Sequence, residues 1–234
     1  MKAFVVDLDS SKNQIMLKPI ARSFNNQAHQ INEAAEKIHE LIKNARYSND
    51  NIVLKRNEIK EAFFSPFEPQ LKNAQVFLSH SHADRNKALE VKDYLESQTK
   101  RKVFIDSLFW DYKDDVLNKL AEYDNISGIE DVFTLILRES LECMIKKCPY
   151  FVFLQSKNSV SLNQDLLKIT YSAWIYEELK IANTLIADTT IKESHIKAMR
   201  ISYDITNLLG RFKPISLDSL CKKIAFNLIT KDAK

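Results

Sequence analysis

Three short runs, Gln75 to Ser79 (QVFLS), Lys102 to Asp106 (KVFID) and Tyr150 to Gln155 (YFVFLQ), are apolar on both faces. Strands of that kind need cover on both sides, which is the condition of a parallel sheet between helices. Segments of helical period separate them. Ala88, Val91 and Leu95 mark one buried face after the first run, and Phe133, Ile136, Leu137, Leu141 and Met144 form the helix entering the third. Past that run, Ser172 is placed to cap a helix reaching about Ile186, and Ser216 a last helix with Leu217, Leu220, Ile224 and Leu228 inward. Met199 to Tyr203 reads as a further strand. The alternation predicts an α/β fold, a doubly wound parallel sheet over residues 71–234, with its ligand site at the carboxyl ends of the strands.

The first seventy residues read differently. Two apolar runs, AFVV and IMLKPI, flank the turn-prone DLDSSKNQ, which predicts a small β-hairpin between Lys2 and Ile20. Phe24, Ala28, Ile31, Ala35, Ile38, Ile42 and Ala45 then recur at helical spacing. That stripe either packs on its own domain or forms a dimer seam, being near the lower length limit of a coiled coil. A second helical stretch from Leu54 to Phe64 stops at Ser65-Pro66, and FSPFEP reads as a linker because proline removes a helix donor. Residues 1–70 are therefore expected to be an accessory, mainly helical N-terminal extension.

Composition excludes several classes. The chain has 234 residues, 45% hydrophobic and 28% charged, and no apolar run approaches the ~20 residues that span a bilayer. The stretch MKAFVVDLDS lacks a long apolar core and a cleavage site, so a cytoplasmic location is expected. Cys143, Cys148 and Cys221 lack CxxC spacing and read as reduced, buried thiols. A net charge of +3, interleaved along the helices, offers no stripe for specific nucleic-acid binding, and no membrane partner is expected.

On a doubly wound sheet three segments converge at the carboxyl edge: Ser79-His80-Ser81-His82, Asp106 to Asp111, and Ser156 onward to Glu178. Glu178 is the most informative residue there, because Trp174, Ile175, Ile181 and Ala182, its helical neighbours, are all apolar. A carboxylate in such a stripe loses hydration and needs a partner or a use, unless it sits at the stripe's edge and reaches water. His80 and His82 lack a third clear ligand nearby, so no metal site is expected.

At these positions the sequence resembles the TIR (Toll/interleukin-1 receptor) domain family, including its bacterial antiviral members. The resemblance rests on VFLSHSHAD (Val76 to Asp84), the acid ending VFID, and FVFLQSKNS before SAWIYEEL. It covers roughly Ala74 to Leu185 and none of the first seventy residues. TIR enzymes share a tryptophan followed four residues later by a catalytic glutamate, here Trp174 and Glu178. The resemblance implies a flavodoxin-like sheet and cleavage of the nicotinamide–ribose bond of NAD⁺, as substrate rather than cofactor, giving ADP-ribose or a cyclic isomer. It further implies bacterial anti-phage defence, self-association through TIR surfaces or the 24–45 helix, and action as a messenger-responsive effector. Ser79, His80, Asp106, Trp110, Ser156 and Trp174 are the implied substrate-binding residues. Trp110, with Phe109, is either a base-stacking platform or a hydrophobic plug. The sequence departs from the pattern in a glycine-free segment, Ser107 to Asn125, where the family carries a glycine-bearing loop, and in an insertion from Val160 to Tyr171.

Two other classes compete. One keeps the fold as a non-catalytic TIR assembly module, and the other is a nucleoside deoxyribosyltransferase-like enzyme using a glutamate on a free nucleoside. A phosphoacceptor receiver, echoed by Lys213-Pro214 and Asp106, lacks the acidic pair after the first strand, where Ser79-His80 stands instead.

Overall fold

The computed structural model describes residues 1–17, 27–44, 46–48, 51–53, 55–64, 72–105, 107–122, 129–186 and 202–229. The chain divides into two compact units: Met1–Ile20, Ala74–Ile105 and Glu142–Lys234 form one, and Ala21–Asn73 with Asp106–Leu141 the other.

The first unit is built on five parallel strands, β1 (Lys2–Asp7), β4 (Ala74–Ser79), β5 (Lys102–Ile105), β6 (Tyr150–Gln155) and β10 (Lys213–Pro214). Their spatial order is β5-β4-β6-β1-β10. Helices flank this sheet, among them α4 (Arg85–Thr99), which packs on β5 and on α9 (Leu217–Ile229). The architecture is consistent with a flavodoxin-like fold, with one difference in threading: the fourth place across the sheet belongs to the first strand of the chain.

That placement overturns the expected hairpin. Lys2 to Asp7 pairs in parallel with Tyr150 to Gln155 over six residues and with Lys213-Pro214 on its other side. The end of the expected turn and the first two residues of the second run form instead a short helix, α1 (Ser11–Met16), and Lys18 to Ile20 lie outside the described residues. Asn13 explains the turn back: its side-chain amide donates to the carbonyl of Asp7 at 2.7 Å and its oxygen accepts from the amide of Leu217 at 3.0 Å. A boundary near residue 70 therefore does not separate an accessory segment from the sheet. The linker FSPFEP lies outside the described residues apart from Phe64.

Register carries the core. Phe104, Phe77 and Phe151 sit opposite one another on β5, β4 and β6, and Phe77 stacks on Phe151 with centroids 5.5 Å apart. Small Ala3 occupies the place on β1 opposite Phe151, and Phe212, just before β10, still meets Phe151 edge to face at 5.5 Å. Pairs of this geometry add about 0.5–1.5 kcal/mol beyond area burial.

The insertion from Val160 to Tyr171 contributes to a separate antiparallel sheet. It holds β7 (Ser161–Leu162) and β8 (Lys168–Thr170), which pair in the order β7-β8-β9 with β9 (Tyr203–Asp204). Of the strand expected at Met199 to Tyr203, Tyr203 belongs to β9 rather than to the parallel sheet, and Met199 to Ile201 lie outside the described residues. Between β8 and β9 in sequence lies α7 (Ala173–Thr184), and α8 (Thr206–Gly210) follows β9.

The second unit contains α2 (Gln27–Lys43), a hairpin of β2 (Arg46–Ser48) and β3 (Asn51–Val53), α3 (Arg56–Phe64), α5 (Ser107–Leu120) and most of α6 (Ile129–Lys147). Helix α2 packs on α3 and α5, and its Ala34, Ala35, Ile38 and Ile42 are buried. Ala35, Ile38 and Ile42 of the expected stripe are thus buried within the chain, while Phe24 and Ala45 lie outside the described residues. Helix α5 replaces the loop expected after Asp106; Val116, Leu117 and Leu120 form its buried face.

Candidate functional site

Helix α7 carries Glu178 and is pinned at both ends. Ser172 caps its start by accepting the amide of Ile175 at 3.3 Å, as its sequence position predicts. Near its end the Asn183 amide donates to the carbonyls of Leu179 and Leu208, at 2.9 and 3.1 Å, tying α7 to α8. Tyr176 stacks on Tyr203 of β9 with centroids 4.8 Å apart. These contacts turn Ile175, Glu178, Leu179 and Ala182 inward.

Glu178 is 1% exposed, and Ser79, the last residue of β4, is fully buried beside it. The Ser79 hydroxyl donates to Glu178 Oε2 at 2.5 Å. Removing a carboxylate from water costs several kcal/mol unless donors replace its hydration. A hydrogen bond to a charged group returns about 1.5–3 kcal/mol. The pair stands at the carboxyl end of β4, where the chain passes outward to β5 and then back to β6 on the other side. That reversal is where open α/β sheets form their ligand crevice.

A second polar cluster forms at the carboxyl end of the neighbouring strand, β6. Asp84, buried in the turn His82–Asp84, accepts from the Ser156 hydroxyl through Oδ2 and from the Asn158 amide at 2.8 Å through Oδ1. Ser156 Oγ in turn accepts from the backbone amides of Asn158 and Ser159, at 3.0 and 3.3 Å. A hydroxyl has one proton and two lone pairs, so all three positions on Ser156 are in use. Ser159 Oγ accepts the amide of Ser156 at 2.8 Å, and Asp9 Oδ2 accepts that of Lys157 at 2.9 Å. Asp9 also faces Lys87 Nζ at 3.5 Å. The loop after β6 is thereby held by carboxylates from two other segments.

Of the residues singled out from sequence, Ser79 and Glu178 are in direct contact, and His80, buried, follows Ser79. Ser156 serves its own loop and Asp84. Trp174 is half-buried in the first turn of α7, one turn before Glu178. Asp106 lies outside the described residues. Trp110 falls in α5, a helix of the second unit rather than a loop. Sequence reasoning missed Asp84 as a structural carboxylate and Asp9 altogether. Asp84 was within a quoted motif, whereas Asp9 was hidden by the hairpin reading of β1.

Elsewhere, α2 and α3 border an open depression of about 580 Å³ whose lining includes Glu33, Glu36, Glu40, Glu58 and Glu61 with Lys37. Its charge disfavours an anionic dinucleotide. Among the described residues no group of three or more His, Cys, Asp or Glu side chains is placed to hold a metal ion. No helix among them is long and apolar enough to cross a membrane. Cys148 and Cys221 are buried, with thiols pushed up by burial to about 12 and about 11. Cys143 departs from expectation in being exposed.

No family model, curated protein or solved structure matches the chain.

Proposed function

We propose that this chain cleaves the nicotinamide–ribose bond of NAD⁺, with Glu178 as the catalytic carboxylate. The observation that carries the reading is a glutamate 1% exposed on an apolar helix face, at the carboxyl edge of the parallel sheet beside its switch point. The resemblance to TIR enzymes in Trp174 and Glu178 supports the same assignment.

The chemistry asks for little more. The leaving nicotinamide departs as a neutral molecule from a positively charged pyridinium, so no acid is needed to protonate it. The ribose passes through an oxocarbenium-like state, which a nearby carboxylate stabilises. Water attack at that carbon gives ADP-ribose, nicotinamide and a proton; attack by the adenine base gives a cyclic isomer. At its present exposure Glu178 is closed to a dinucleotide, so the reaction requires its cover to move. Self-association between copies in the cytoplasm, coupled to anti-phage defence, belongs to the same proposal through the TIR resemblance.

The closed state also favours a second reading, in which the Ser79–Glu178 pair only braces a non-catalytic assembly module. Incubating wild-type and Glu178→Gln protein with NAD⁺, across concentrations that drive self-association, separates the two. Chromatography with mass spectrometry should find nicotinamide released by wild type alone. Equal release by both removes Glu178 from catalysis, and release by neither favours the assembly module.

A further inference from the structure

We infer that Ser79 is the positioning residue of Glu178, its hydroxyl fixing the orientation of the carboxylate from the end of β4. The kinetic half of this inference rests on the cleavage proposal; the structural half rests on geometry alone.

A serine at a strand end facing a dinucleotide site would ordinarily be read as a substrate contact. Its proton decides otherwise. A hydroxyl has one to give, and Ser79 gives it to Glu178 Oε2 at 2.5 Å. Both partners are at most 1% exposed, so water does not compete and the bond keeps the strength of a low-dielectric setting. The two ends are held independently. Ser79 is registered opposite Phe153 within the sheet, while Glu178 rides on a helix anchored by Ser172 and Asn183. A glutamate side chain has three rotatable bonds and therefore several rotamers. One oxygen tied to a strand end selects one of them and aligns the group before substrate arrives, which is the pre-organisation that electrostatic catalysis requires.

Five proteins test it: wild type, Ser79→Ala, Ser79→Thr, Glu178→Gln and the Ser79→Ala/Glu178→Gln double variant. In NAD⁺ cleavage, Ser79→Ala should lower kcat about ten- to hundredfold with KM changed by no more than about threefold. Ser79→Thr, which keeps the hydroxyl, should recover most of that loss. A raised KM with kcat unchanged would make Ser79 a substrate contact and overturn the inference.

Thermal unfolding supplies a readout that needs no activity. Ser79→Ala should lower Tm by several degrees more in the wild-type background than in Glu178→Gln, because only in the first does it remove a buried hydrogen bond to a carboxyl oxygen of Glu178. Equal losses in the two backgrounds overturn the pairing. A Ser79→Ala chain that folds only when Glu178 is also changed to Gln supports it. Wild type that never cleaves NAD⁺ defeats the cleavage reading, and the thermal comparison then decides the role of Ser79 by itself.

Discussion

Replacing Phe4 by alanine discriminates between an N-terminal accessory hairpin and an interior strand. Phe4 is 1% exposed in the middle of β1, with Lys223 Nζ 5.3 Å from its ring centroid. A buried Phe→Ala change costs about 3–5 kcal/mol in transfer and cavity terms. Loss of the cation–π contact adds about 0.5–1 kcal/mol. At roughly 2–4 °C per kcal/mol for a chain of this size, Tm should fall by about 7–24 °C. The control is Ile15→Ala in the same N-terminal stretch. Ile15 is 84% exposed, so that change should stay within about 0.5 kcal/mol. Scanning calorimetry resolves the difference even where the two compact units unfold in separate steps, because the affected transition is then the sheet unit's. A Phe4→Ala protein whose transitions all lie within a degree or two of the Ile15→Ala control would refute the interior placement of β1.

Other predictions concern the polar clusters and the thiols. Ser156→Ala removes a donor from buried Asp84, should cost about 2 kcal/mol and should lower Tm by about 4–8 °C; an unchanged Tm would mean the loop after β6 does not depend on that carboxylate. Cys148 holds its proton more tightly folded than unfolded, since burial raises its thiol from 9.0 to about 12. Its contribution to stability is therefore complete below about pH 9 and is lost as pH rises toward 12. The fall of Tm across that window should be shallower in Cys148→Ala, and parallel curves would contradict the assignment. At pH 8, a thiol reagent should consume exposed Cys143 in native protein and spare Cys148 and Cys221 until denaturant is added.

What could be read from the sequence was local. QVFLS, KVFI and YFVFLQ are strands because their residues are apolar on both faces, and Ser172 and Ser216 start helices because a hydroxyl at that place satisfies an amide. The helical neighbours of Glu178 marked it as unusual but left open whether it turns inward or sits at the stripe's edge; the fold turns it inward. Pairing across distance was not legible. AFVVDL carries the same two-sided apolar signal as the other strands, yet nothing within it says that its partner is Tyr150 to Gln155. The nearby turn-prone DLDSS offered a cheaper local solution. Ser107 to Leu120 shows the opposite error: Val116, Leu117 and Leu120 display helical spacing, which an expectation of a family loop overrode. The Ser79–Glu178 bond joins residues 99 positions apart, and side-chain partners of that kind follow only from the folded sheet.

Interior placement of β1 also has a kinetic side. During synthesis, at roughly 5–20 residues per second, residues 2–7 emerge many seconds before the strand they must lie beside. They cannot dock between β6 and β10 until both exist, so a strand made before the others of its sheet is among the last to be seated. Such long-range parallel pairing slows folding, and the waiting segment exposes Phe4, Val6 and Leu8 to other chains. Expression should accordingly gain from low temperature and chaperone supply more than from any change at the protein's finished surface.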